Sequence, residues 1–109
     1  MTKRYKVESY DRWSIPDPYW YNRGEFDNAT EALSHARNIV AGSLEGLYRS
    51  HPNVDAEALM GLYRAHGEVA SIFGDPPVAF HAYHFAAEHA RKVVAWAEAG
   101  IMEWWKEAA

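Results

Sequence analysis

The sequence predicts an α+β protein, an N-terminal antiparallel β-hairpin packed against three α-helices. Three observations carry this expectation. Tyr5-Lys6-Val7-Glu8-Ser9-Tyr10 alternates with the period of a strand. Asn28, followed three residues later by Glu31, has the spacing of a capping box and opens a long stretch of helical periodicity. Two more helical stretches follow, separated by His51-Pro52-Asn53 and by Gly74-Asp75-Pro76-Pro77.

Taken in order, the hairpin spans about residues 3–26. Tyr5 and Val7 face inward and Lys6, Glu8 and Tyr10 outward. The prolines of Asp11-Arg12-Trp13-Ser14-Ile15-Pro16-Asp17-Pro18 remove ladder donors, so the chain turns there. The second strand places Trp20 and Phe26 inward and Tyr19, Tyr21, Arg23 and Glu25 outward by simple alternation. Helix one is expected over about 29–49, with Ala29, Leu33, Ala36, Val40, Leu44 and Leu47 on its apolar stripe and Gly42 and Gly46 at the stripe's edge. A close neighbour or simple fraying would account for those two glycines. Helix two is expected over about 55–73, capped by Asp55, with Leu59, Leu62, Tyr63, His66, Val69, Ala70 and Phe73 inward. Helix three is expected over about 77–99, with Asp75 as cap and the prolines in its first turn. Its apolar arc is wide enough to require two neighbours, or one neighbour and a partner. Gly100 stops it, and residues 100–109 form a tail containing Trp104 and Trp105.

The 109 residues fit one domain. An apolar fraction of 49% with five tryptophans is the composition of a chain that buries a core, not of a disordered one. Without cysteine there is no disulfide framework, thiolate nucleophile or zinc–thiolate site. No apolar run follows Met1-Thr2-Lys3-Arg4-Tyr5-Lys6, and charges interrupt the stretch from Val78 to Ala99. A soluble, cytoplasmic protein with no membrane partner is expected. The net charge of −4 has the wrong sign for a phosphate backbone, which makes nucleic acid an unlikely ligand.

Several pieces of the chain resemble one family: Tyr5-x-Val7; Gly24-Glu25-Phe26 leading to Glu31-Ala32; Ile39-Val40 and Ser43-Leu44; Leu62-Tyr63 before Gly67-Glu68; and Phe80-x-Ala82-x-x-Phe85-Ala86. Together they are similar to a family of small uncharacterised proteins of alphaproteobacteria, over roughly residues 5–90. The resemblance implies a β-hairpin followed by helices, with no established activity, and lends no catalytic residue. The chain departs from the family's pattern where Val69-Ala70-Ser71-Ile72-Phe73 intervenes before Gly74-Asp75-Pro76, and its hairpin loop is richer in Trp and Pro.

Two histidine arrangements point to chemistry. His81, His84 and Glu88 share one face of an ideal helix, where two imidazoles and a carboxylate would bind zinc or iron. The plainer reading is a solvated face with one His–Glu pair. His66 interrupts the apolar stripe of helix two, where burial would make it a base, or else a neutral core histidine bonded to a carbonyl. Ser34-His35 and Ser50-His51 are sequence neighbours that diverge on a helix, and there is no nucleophile elbow or phosphate-binding glycine loop.

The remaining signal is aromatic. Trp13, Tyr19, Tyr21 and Trp105 are rigid amphipathic groups of the kind that anchors interfaces, and a lone hairpin leaves two open edges. The sequence therefore points to a non-enzymatic protein-interaction or regulatory module, without a cofactor, that binds a protein partner or a second copy of itself. The alternative is a small metal-dependent enzyme built on His81, His84 and Glu88. A weaker one, from net charge alone, is an acidic inhibitor of a nucleic-acid-binding complex.

Overall fold

The computed structural model describes residues 4–11 and 21–100. Its elements run β1 (Tyr5–Asp11), β2 (Tyr21–Phe26), α1 (Ala29–Ser50), α2 (Ala56–His66), β3 (Glu68–Gly74) and α3 (Ala82–Glu98). The fold is α+β, as expected, with one strand more than the hairpin. The strand order is β2-β1-β3, antiparallel throughout, so the N-terminal strand is the centre of the sheet.

The helix starts are set by the residues the sequence marked. Asn28 Oδ1 accepts the Glu31 N–H at 2.8 Å, and Asp55 Oδ1 accepts that of Ala58 at 2.8 Å. Each satisfies a donor that the first turn leaves without an intrahelical partner. Phe26 packs against the His35 ring of α1, with centroids 5.1 Å apart. At the other end of the chain, Gly100 adopts φ 74° and closes α3, a conformation glycine reaches without Cβ strain.

Helix two is shorter than its periodicity suggests. It ends at His66, and the segment expected as its last two turns is β3, paired to β1 from Asp11↔Glu68 to Tyr5↔Gly74. The switch occurs at Gly67, where the Tyr63 ring lies so close that an added Cβ would sit 2.1 Å from Tyr63 Cδ1. Helix three also starts late, at Ala82 with His81 as N-cap; Asp75 caps nothing, and the Asp75–Pro76 peptide is cis. Because β3 delivers the chain to the end of the sheet, residues 75–81 are used as an extended connection back to the helices. Tyr5 O–H donates to the Pro76 carbonyl at 2.9 Å and ties that connection to β1.

The second strand contains a bulge. Val7 pairs with Gly24 but Glu8 with Asn22, so Arg23 is the extra residue, and Gly24 has φ 144°. The bulge reverses the strand's phase. Tyr21 lies opposite Ser9 and so shares its helix-facing side, which corrects the outward placement given by simple alternation.

The core lies between the sheet and the helices. Val7, Val40, Leu44, Leu59, Tyr63 and Val93 are fully buried. Helix α1 packs across all three strands, while α3 packs on both α1 and α2. Ala82, Ala86 and Ala90 form the seam that lets α3 approach closely. Glu45 of α1 and His89 of α3 meet at 3.3 Å with little exposure, and the His89 ring stacks on Phe85 and meets Trp96 edge-on.

Candidate functional site

Two clefts flank α1. The first is an open groove of about 580 Å³ between α1, the 75–81 connection and the start of α3. Leu33, Val78, Phe80 and Phe85 supply its apolar surface, each half-buried, the last three packed against the core. These rings and branches are already partly desolvated, so a ligand covering them gains burial without rearranging the chain. Arg37, His81, His84 and Glu88 form the polar rim. His84 Nε2 lies 3.7 Å from Glu88 Oε1 with both side chains mostly exposed, an interaction of marginal energy. The side chains of Arg37 and His81 engage no group among the described residues.

The three residues of the metal hypothesis thus share a groove without forming a metal cage. His81 precedes the helix, so the spacing that placed it on one face with His84 and Glu88 is not realised. Among the described residues no three His, Cys, Asp or Glu side chains converge to hold a metal ion.

The second cleft, also about 580 Å³, lies on the other flank of α1. Its centre is a charged pair, Arg23 Nε to Glu68 Oε2 at 3.3 Å. Ser9, fully buried, donates its hydroxyl to that same carboxylate oxygen. The Glu68 backbone is held as well: its N–H donates to Ser43 Oγ at 2.9 Å, and its carbonyl accepts from Tyr63 O–H at 2.8 Å. Burial, reinforced by Tyr83, Tyr10 and Glu68, raises the Tyr63 phenol above its ordinary pKa and keeps it a donor. Gly42 and Gly46 line the cleft with open space where side chains would stand, so no element among the described residues explains them.

His66 stands at the mouth of this second cleft, exposed, because the helix ends before its stripe carries it inward. The buried-base reading is corrected accordingly. Of the aromatic set, Trp13, Tyr19 and Trp105 lie outside the described residues, and Tyr21 is half-buried on the helix-facing side of β2. Sequence reasoning missed Arg37, Arg23, Glu68 and Ser9. The one available signal was Gly24 inside a strand pattern, which marks a bulge and hence a re-aimed neighbour.

The β2 edge is closed to simple strand addition at its bulge. Asn22 Oδ1 accepts the Gly24 N–H at 2.9 Å, and His35 Nε2–H donates to the Arg23 carbonyl at 2.8 Å. Those groups are already bonded within the chain. No described helix is long and apolar enough to cross a membrane.

No family model, curated protein or solved structure matches the chain.

Proposed function

We propose that this protein is an interaction module, and that the groove between α1 and α3 docks a segment of a partner protein carrying an apolar side chain beside an acidic one. One observation carries the reading: an open, half-buried apolar surface of Leu33, Val78, Phe80 and Phe85 is rimmed by Arg37 and His81, neither of whose side chains is engaged by the described residues. Apolar anchors supply the affinity in such interfaces and rim charges supply selection and steering. Arg37 has a rigid fork of donors suited to a carboxylate. Arg37 is the rim charge without a partner among the described residues, while Glu88 meets only His84, at 3.7 Å. This moves the contact surface from the aromatic hairpin to the helical side. A partner binding here makes no use of strand pairing.

The reading is tested by selecting peptides from a displayed random library on the purified protein. The recovered sequences are expected to combine Asp or Glu with aromatic or branched residues. Arg37→Glu is expected to weaken them at least about tenfold, the loss of one charge-assisted pair, and Phe85→Ala to weaken them independently. Binders indifferent to both substitutions, with the circular dichroism spectrum unchanged, would refute the groove as the docking surface.

A further inference from the structure

We infer that the second cleft is a binding site for a small zwitterion of the α-amino-acid type. Its defining feature is a pair of opposite charges held a few ångströms apart with half of each unused. Arg23 approaches Glu68 most closely through Nε, and its two terminal nitrogens make no hydrogen bond among the described residues. Glu68 meets both Arg23 and Ser9 at Oε2, and its Oε1 accepts no hydrogen bond among the described residues. Both side chains line the same cleft.

The positions of these charges are set by the fold, not by the pair itself. Arg23 is the extra residue of the bulge in β2. Glu68 is fastened by Ser9 of β1 to its carboxylate, by Ser43 of α1 to its N–H and by Tyr63 of α2 to its carbonyl. Three elements therefore fix Glu68, β1 at its carboxylate and α1 and α2 at its backbone. Such preorganisation is what a site needs if a ligand is to gain from charged contacts rather than spend them on ordering side chains.

An α-amino acid carries a carboxylate and an ammonium on neighbouring atoms, the spacing that matches adjacent Arg and Glu groups. Its carboxylate would lie on the terminal nitrogens of Arg23, in the two-pronged geometry a guanidinium favours. The ammonium would donate to Glu68 Oε1. A simple anion would meet Glu68 beside its arginine, and a simple cation the reverse, so each loses what the zwitterion keeps. The cleft also has room for the ligand. Among the described residues, nothing lies within 4 Å of where a Cβ on Gly42 or Gly46 would stand. Ile39 and Leu47 on the same wall give an apolar side chain a surface to cover.

The competing view is that Arg23 and Glu68 only clasp β2 to β3 across β1. Amide-resolved NMR titration of the full chain distinguishes the two, with glycine and leucine as probes and isocaproate and isoamylamine as controls that keep one charge each. Saturable shifts at Gly42, Ser43, Gly46 and Glu68 are expected with the amino acids at millimolar concentration. Each control should bind at least about tenfold more weakly, since it forfeits one charge-assisted contact. Arg23→Gln and Glu68→Gln should each abolish the response. Gly46→Leu, which fills the cleft without touching either charge, should do the same if those variants fail to fold. Absence of saturable shifts with both amino acids would overturn the inference and leave the pair a clasp. So would controls that bind as well, or a response that survives Gly46→Leu.

Discussion

Gly67→Ala puts a number on the switch from α2 to β3. The backbone there, φ −76° and ψ 162°, suits any residue, so the substitution is not penalised by its dihedral angles. Its penalty is spatial. The new Cβ would stand 2.1 Å from Tyr63 Cδ1, 2.5 Å from Cε1 and 2.6 Å from the Tyr63 carbonyl oxygen. Two responses are available. A backbone shift that keeps the tyrosine in place costs about 1–3 kcal/mol, as overpacked cores do. Expelling the ring, which is fully buried, forfeits roughly 150–250 Å² of burial, about 4–6 kcal/mol. Against either stands a gain of about 0.4–1 kcal/mol from a stiffer unfolded chain. A net loss of about 1 kcal/mol is the expected outcome by the cheaper route, a fall in Tm of roughly 4–8 °C for a domain of this size. Urea unfolding followed by circular dichroism measures it. The decisive comparison is a double-mutant cycle with Tyr63→Ala: the ring's share of the penalty should vanish, a coupling of at least about 0.5 kcal/mol, while the clash with the residue 63 carbonyl remains. A loss below about 0.5 kcal/mol in the native background, or a penalty unchanged when Tyr63 is alanine, would refute the argument that this ring forces glycine at the switch.

Further outcomes follow from the same contacts. Tyr63→Phe removes the donor to the Glu68 carbonyl and should cost about 1–2 kcal/mol in urea unfolding. Because burial raises the folded phenol's pKa, the unfolded chain ionises first, so Tyr63 contributes fully below about pH 10 and its contribution falls as pH rises above that; the stability difference between native protein and Tyr63→Phe should shrink across that alkaline range. Gly42→Ala meets open space in the middle of a helix and should stabilise the fold by about 0.5–1 kcal/mol, read as a higher midpoint in urea. His89→Ala loses the Phe85 stack and the Trp96 contact and leaves Glu45 without its partner, and should lower stability by about 2 kcal/mol in the same assay. Asn28→Ala and Asp55→Ala should each cost about 1 kcal/mol in thermal unfolding, and their losses should add, since they cap different helices.

The parts of the fold legible in the sequence are those decided locally. Asn28 and Asp55 cap because a short polar side chain before a helix bonds the nearest open N–H, and Tyr5 and Val7 turn inward because alternation leaves no other arrangement. What eluded the sequence depended on contacts distant along the chain. Val69, Ala70 and Phe73 continue the spacing of Leu59, Leu62 and Tyr63 so well that one helix accounts for all of them. Only the vacancy beside β1 makes the run Val69-Ala70-Ser71-Ile72-Phe73, with its two β-branched residues and one aromatic, more stable as a strand. His66 then leaves the inner face along with the turn that would have buried it. The second cleft was hidden for the same reason: its carboxylate stands on the unforeseen strand and its arginine on a bulge that reverses the expected facing.

The central position of β1 also bears on how the chain reaches this structure. A ribosome releases β1 and β2 first, and a two-stranded ribbon by itself is marginally stable in water. Its inner edge, from Tyr5 to Asp11, has no strand to pair with until Glu68–Gly74 has emerged behind two complete helices. At roughly 5–20 residues per second that interval lasts seconds, long compared with helix formation. The nascent sheet is therefore completed from its middle outward by a late strand, and the vulnerable period for wrong pairing ends only when α2 gives way to β3.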